Sequence, residues 1–337
     1  SLQRGGVWWP MTTARSLRCA HWSGMRLRHA VAALLPVSTM AGGAPACVSS
    51  VAAPGKSGVP SYILKQKWRT SPDSWVLRFQ LPDGQRHLGP DDPTLPTCIS
   101  VHHNGTDESG EPAVLKKSYS PISYPWTEGT FDLLVKSYEP RHGGGVGAGI
   151  CSVEPGGSIS AKLKAKRMMH GSPVVSRRWK RIGLVAGGTG LAPLLQVARI
   201  ALADADDEGG AKVQLLFVNR REEDILMKDE LDKIAAEHPD RFSVTYSLTG
   251  PDVSEEWTGE RGRGDVEMIS RALPPPSGGD GSTMVLVCGT DGFVDTWGGP
   301  VCRGPPKPDG SKGPKIQGPL LGLLKEAGFD ESEVFKY

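Results

Sequence analysis

No aspartate or glutamate precedes Asp73. Over the whole chain the charges nearly cancel, with 39 Lys and Arg against 37 Asp and Glu. A chain so balanced carries no general affinity for nucleic acid. Cysteine is sparse and scattered: Cys19, Cys47, Cys98, Cys151, Cys288 and Cys302, with no Cys-x-x-Cys pair. That spacing argues against a zinc site or a disulfide scaffold and fits a reducing compartment. Long apolar runs are missing too. The best candidate, residues 30–40, is interrupted by Pro36, Ser38 and Thr39. A spanning helix needs about 20 apolar residues, so a transmembrane anchor is not expected. No internal repeat is present. What remains is a chain of 337 residues, 38% of them hydrophobic, with room for about two domains that have real cores.

The acid-free leader has its own character. Arg4, Arg15, Arg18, Arg26 and Arg28 are interleaved with Ser, Thr, Ala and Trp. Arginine-rich, hydroxyl-rich and acid-poor composition is the signature of an organelle transit peptide. Two other readings stay open: a basic tail, or a secretory signal built on Met25-Arg26-Leu27-Arg28 and the apolar run after it. The expected location is the mitochondrion, with membrane association possible in principle. Residues 41–60 are rich in Gly, Ala, Pro and Ser and read as a linker.

Short strands follow. Residues 62–81 read as two strands around a turn at Ser71-Pro72-Asp73, and further strands are expected at 99–103, 114–118, 131–138 and 158–163. Turn signals stand at Asn104-Gly105 and Pro155-Gly156-Gly157. This spacing predicts a small antiparallel β-barrel, with no helix before residue 190 outside the leader. The pattern then alternates. Strands are expected at 182–185, 213–218, 242–248 and 284–287, and helices at 193–202, 225–237 and 265–273. Alternation of this kind makes an α/β domain with a parallel sheet. Residues 298–319 read as a surface loop, 320–327 as a helix and 334–337 as a closing strand.

The densest signal is Leu184-Val185-Ala186-Gly187-Gly188-Thr189-Gly190-Leu191-Ala192-Pro193. A strand ends in glycines and a helix begins. Glycines let the backbone turn sharply beside a ligand, and the helix start offers amide groups to a pyrophosphate. Cys288-Gly289 ends another predicted strand, and both turns should face one crevice.

Five stretches occur in a telling order: Lys117-Ser118-Tyr119-Ser120-Pro121-Ile122-Ser123, Phe131 to Tyr138, the glycine turn at 187–190, Leu215 to Leu226, and Val285 to Gly289. Together they resemble the NADH-cytochrome b5 reductase family of ferredoxin-reductase-like flavoproteins over residues 60–337. The resemblance implies a leader and linker over 1–58, an FAD-binding β-barrel over 59–176 and an NAD-binding α/β domain over 177–337.

It also implies site residues. Tyr119 would pack along the flavin, Ser120 would donate a hydrogen bond near its reactive edge, and Ser118 and Leu134 would line the same site. Lys117 stands where the family has Arg, keeping the charge but not the planar fork. Lys136 and Tyr138 share a strand face and would reach the cofactors. Gly145, Val146, Gly147 and Ala148 occupy the family's pyrophosphate loop, with Val146 in place of Lys and Ala148 in place of Ser. This glycine-rich stretch reads equally as an anion-binding nest or as a flexible loop.

Gly187, Gly188, Thr189, Gly190, Ala192 and Pro193 would hold the nicotinamide half. Asp224 would accept from the ribose and favour NADH, while Arg220 and Arg221 would favour a phosphate. Cys288 and Gly289 would lie near the nicotinamide, although a cysteine there can also be a small buried hydrophobe.

The implied activity is that of an FAD-dependent NADH oxidoreductase. Hydride would pass from NADH to FAD, and electrons would leave singly to cytochrome b5 or another one-electron acceptor. No metal site is expected. The competing expectation is a reductase-like accessory subunit of a mitochondrial assembly, motivated by the departures at Lys117, Val146 and Ala148.

Overall fold

A computed structural model of the chain describes residues 58–89, 96–106, 109–138, 145–164, 179–204, 210–306, 308 and 313–337. The leader and linker expected over 1–58 lie outside the described residues except for Gly58, as do His142 to Gly144 and the cationic Lys166 and Arg167.

The first sheet is built from Ser61–Ser71 (β1), Ser74–Gln80 (β2), Ile99–Thr106 (β3), Pro112–Tyr119 (β4) and Thr130–Lys136 (β5). The helix Val146–Cys151 (α1) follows, and then Ser158–Leu163 (β6). The order is β4-β3-β6-β1-β2-β5, with every pairing antiparallel. Pro121, just past β4, bridges Leu133 in β5, so the two edges meet and close the barrel. Closure removes the exposed edges that an open sheet would leave. Alternation along β2 sends Leu77 and Phe79 into the barrel core, while Val76 joins the core of the second domain. Phe79 and Phe131 stack inside the barrel with centroids 5.5 Å apart.

Two features differ from expectation. Asn104 and Gly105 do not make a turn. They continue β3, paired with Val114 and Ala113. Their turn propensity yields to the ladder that runs on to Thr106 and Pro112. The glycine-rich stretch contains a helix, α1, where the sequence suggests none. Val146, Ile150 and Cys151 bury one side of it in the barrel core, which overrides poor intrinsic propensity. Glycine also lets it approach closely: a Cβ on Gly147 would lie 2.6 Å from the Lys136 carbonyl oxygen.

The second sheet begins with Arg181–Gly187 (β7). It continues through Leu191–Ala203 (α2), Lys212–Asn219 (β8), Lys228–Glu237 (α3), Phe242–Leu248 (β9), Glu260–Arg261 (β10), Val266–Ala272 (α4) and Thr283–Cys288 (β11). Then come Asp291–Gly298 (α5), Val301–Arg303 (β12), Lys315–Gln317 (β13), Gly322–Glu326 (α6) and Val334–Lys336 (β14). The strand order is β10-β9-β8-β7-β11-β14, and all pairings are parallel. Leu184 and Ala186 of β7 pack with α2 and α3, while Val185 packs with α4, α5 and α6 on the other face. Parallel strands buried on both faces read as continuous apolar runs, as here.

Helix α5 was not expected. Thr290 starts it by accepting the Phe293 amide at 3.3 Å. The stretch expected as a bare loop also holds a hairpin, β12–β13. Its anchor is Gln317, whose side chain accepts from the Lys336 amide at 2.8 Å and donates to the Lys336 carbonyl at 2.9 Å. The buried Lys336 ammonium donates to the carbonyls of Gly298, Gly318 and Pro319 at 3.0, 2.9 and 2.9 Å. These bonds satisfy a charge that burial would otherwise penalise. Among the described residues, no helix is long and apolar enough to cross a membrane.

Candidate active site

Strand alternation divides the expected flavin residues. Lys117 and Tyr119 share the face of β4 that looks toward the barrel interior, whereas Ser118 points outward, where its hydroxyl accepts from Lys164 at 2.6 Å. Lys117 Nζ lies 5.7 Å from the Tyr119 ring centroid and 5.6 Å from that of Tyr138. The Lys117 side chain is largely exposed, yet its ammonium is partly desolvated over these rings, which lowers its pKa. Tyr138 is 52% exposed, and among the described residues no aromatic ring stacks on it. Ser120 is half-buried at the strand end. Leu134 goes elsewhere: its side chain is buried in the core shared with the second domain.

These residues fit an FAD. Tyr119 Oη is buried and has no hydrogen-bond partner among the described residues. A lone buried hydroxyl costs about 1–3 kcal/mol, which a ligand acceptor would recover. Burial, with smaller pushes from Cys151 and Tyr138, raises the Tyr119 pKa far above its usual value, so the phenol stays a donor. Lys117 has no carboxylate partner among the described residues and offers a cation for phosphate. Gly145 opens α1 in extended backbone with no side-chain cap, and Ala148 is half-buried beyond it. Val146, in the family's lysine position, points into the barrel core and offers no group to a ligand.

Lys136 is committed in part to Asp73, at 2.6 Å. Burial alone would raise the Asp73 pKa. The bond from Lys136, helped by Ser74 and Ser71, overcomes this and holds it below its ordinary 3.8. A carboxyl depressed in the folded state stabilises fully above its unfolded pKa and loses that contribution as pH falls through the folded value. Asp73→Asn should therefore remove a limb of stability lost below about pH 4. Urea melts across that range check it, and an unchanged acid limb would refute the pairing.

The glycine turn lies at the carboxyl end of β7. Gly187 is extended, Gly188 has φ 53°, and residues 188–190 form one 3-10 turn that runs into α2. Gly190 sits against β11: a Cβ there would lie 2.2 Å from the Cys288 carbonyl oxygen. The two turns expected to face one crevice therefore lie against each other. The Phe293 ring lies beside both, since a Cβ on Gly187 would come within 3.0 Å of it and one on Gly289 within 2.4 Å. The Cys288 side chain is half-buried and in no disulfide. Thr189 is half-buried, Ala192 is buried, and Pro193 occupies the first turn of α2, where its missing N–H costs nothing. The start of α2, which no side chain caps, and the open space over Gly188 fit a dinucleotide phosphate.

Asp224 closes a short turn after β8 and is half-buried. Among the described residues neither it nor Arg220 has an ion-pair partner, whereas Arg221 pairs with Glu223 at 3.2 Å. A cleft of about 510 Å3 opens nearby, lined by Glu222, Lys228, Tyr246 and Trp257. Asp224→Ser would remove the carboxylate and leave Arg220 as a phosphate partner. The ratio of kcat/KM for NADPH over NADH should rise about tenfold, or ~1.4 kcal/mol. A ratio that stays put would remove Asp224 from the site.

Sequence reasoning passed over Gln196 and Arg199. They are polar residues spaced three apart in the apolar α2 run LAPLLQVARIALA, and that contrast was the available signal. Both are buried, and both reach the barrel. Among the described residues no cluster of His, Cys, Asp and Glu is placed to hold a metal ion.

Comparison with known proteins agrees with this geometry. Residues 61–174 match the oxidoreductase FAD-binding domain, and residues 184–297 match the oxidoreductase NAD-binding domain. The chain is 32% identical over 283 residues to an NADH-cytochrome b5 reductase 2 of Neurospora crassa, covering 84% of this chain and 74% of that protein. It is 37% identical over 228 residues to an NADH-cytochrome b5 reductase 1 of Mycosarcoma maydis, covering 68% and 64%. Its fold resembles the cytochrome b5 reductase domain of Ulva prolifera nitrate reductase, with a TM-score of 0.62 and 24% identity over 83% of this chain and 97% of that one. The barrel with its tyrosine-lysine cradle, the glycine turn seated on Cys288 and these relatives together place the chain in the NADH-cytochrome b5 reductase family.

Proposed function

We propose that this FAD-dependent NADH oxidoreductase delivers its electrons to cytochrome b5. The observation that carries the reductase reading is the seating of Gly190 on the Cys288 carbonyl, which joins the two turns of a dinucleotide crevice. When bound, the nicotinamide supplies two electrons together and the flavin releases them one at a time. The chain's own residues place and shield. Tyr119 offers its phenol from a buried position, and Lys117 supplies positive charge beside two rings. Gly190 holds the glycine turn tight against the end of β11. No side chain has to take up a proton in this reaction, which suits a site that shows no paired carboxylates among the described residues.

The names of the relatives specify cytochrome b5 for those proteins, and this supports the same acceptor here. A basic outer barrel face supports it as well. There Lys116, Lys162 and Lys164 surround His102, whose pKa is lowered by burial and then by these three charges. Steady-state assays with NADH test the proposal. Reduction of both cytochrome b5 and ferricyanide is expected, with the cytochrome b5 reaction weakening as salt rises. Ferricyanide reduction without cytochrome b5 reduction would assign another acceptor. Delivery to the mitochondrion belongs to the same reading and is supported by the composition of residues 1–58. A fluorescent fusion of that segment should enter mitochondria, and a cytosolic fusion would overturn the assignment.

A further inference from the structure

Helix α2 starts directly after the glycine turn and carries Gln196 and Arg199 within its next turns. The two are 1% and 6% exposed. Neither serves its own domain alone. Gln196 Oε1 accepts the Thr97 amide at 2.8 Å, and its Nε2 donates to the Thr97 carbonyl at 3.2 Å and to the Pro121 carbonyl. Arg199 donates to the Ile122 carbonyl and pairs with Glu230 of α3 at 2.9 Å. Its guanidinium lies 4.1 Å from the Tyr124 ring centroid. Burying an amide and a guanidinium is costly unless they are bonded, and here the bonds run across the domain contact. Apolar contacts between Val76, Ile122, Leu134 and the second domain leave orientation loose; directional bonds to backbone carbonyls fix it.

The gripped segment is the one that follows Tyr119 and Ser120. It is itself pinned, with Pro121 bridged to Leu133 and the Ile122 amide bonded to the Asp132 carbonyl at 2.8 Å. The glycine turn and the flavin motif are therefore joined by a stretch of helix on one side and a tied strand end on the other. With a rise of about 1.5 Å per residue, the grip lies on the order of 10 Å along α2 from the turn.

We propose that Gln196 and Arg199 are positioning residues that set the placement of the NADH turn relative to the flavin motif, an inference that rests on the reductase reading above. Misplacement by about 1 Å is enough to cost on the order of 100-fold in rate. Gln196→Met keeps length and removes every bond. Arg199→Lys keeps the charge and loses the planar fork.

Anaerobic stopped-flow on FAD-loaded protein tests the inference. Flavin reduction at saturating NADH should slow about tenfold or more in each variant, while FAD content and NAD+ affinity stay within about threefold. Reoxidation of chemically reduced flavin by ferricyanide should not change, because the grip does not face that step. A readout without turnover is amide exchange in the cofactor-free protein. The Thr97 amide should be protected in wild type and exchange faster in Gln196→Met. If that variant fails to fold, Tyr124→Leu loosens the rim of the contact and should slow reduction about threefold.

Variants that melt earlier but reduce their flavin at the wild-type rate would show that these residues only cement the fold, and the inference falls. A Thr97 amide that exchanges equally in both proteins overturns it as well. A wild-type protein whose flavin NADH does not reduce would instead overturn the reductase reading itself.

Discussion

Gly190→Ala is expected to slow flavin reduction by NADH severely while FAD stays bound. The backbone of Gly190 is right-handed, at φ −61° and ψ −14°, so any residue could adopt it. Space is what demands glycine. An added Cβ would lie 2.2 Å from the Cys288 carbonyl oxygen, 2.5 Å from its carbon and 2.7 Å from the Gly289 nitrogen. These are backbone atoms at the end of β11, which is paired on both sides, and they cannot swing aside as a side chain can. The turn must lift from β11 and carry the first amides of α2 with it. A loss of about 100-fold or more in the reduction rate, ~2.7 kcal/mol, is the expected scale. Gly188→Ala is the comparison. There φ is 53° and no protein atom lies within 4 Å, so the added Cβ meets a left-handed cost of about 1 kcal/mol and the space offered to the dinucleotide, and leaves the seat on β11 intact. Rapid-mixing absorbance with FAD-loaded protein reads both variants. Reduction of the Gly190 variant at near wild-type speed would show that the crevice is not where NADH sits.

Lys117→Arg should tighten FAD, and Lys117→Glu should nearly eliminate it. Lysine presents a point charge, whereas arginine presents a planar fork that matches phosphate with two bonds. The site already has room for a flat group, because Lys117 lies over two tyrosine rings, one of them half exposed. Arginine should therefore gain about tenfold in FAD affinity, ~1.4 kcal/mol. A glutamate would set negative charge against the ligand phosphate, and a loss of about 100-fold or more is expected. Fluorescence titration of the FAD-free protein measures both. Equal affinities for Lys, Arg and Glu would place the cation outside the FAD site.

Strands were the most legible part of the sequence. Runs such as Val213–Val218 and Phe242–Leu248 show in composition alone, because both faces of a parallel sheet are buried. The ordered motifs also pointed to the two turns that the fold brings together, because they occur in sequence at the carboxyl ends of neighbouring strands. What escaped depended on contacts distant in sequence. Helix α1 forms because Val146, Ile150 and Cys151 find the barrel core, which no local propensity of a glycine-rich segment announces. Asn104-Gly105 carries a turn signal that a long ladder overrules. Ser118 and Leu134 fall inside the right motifs yet point away from the cradle, because strand alternation, not motif membership, decides which face a side chain takes. Val146 shows the same rule for a helix: it holds a family position but turns into the core. Gln196 and Arg199 matter only once the barrel lies against α2.

An anaerobic absorbance titration of the purified protein with stoichiometric NADH tests the central claim most directly. Oxidised-flavin bands that bleach within the mixing time, and return on adding ferricyanide, are the expected result. A protein that holds no flavin after incubation with FAD, or a bound flavin that stays oxidised in NADH, would contradict the account.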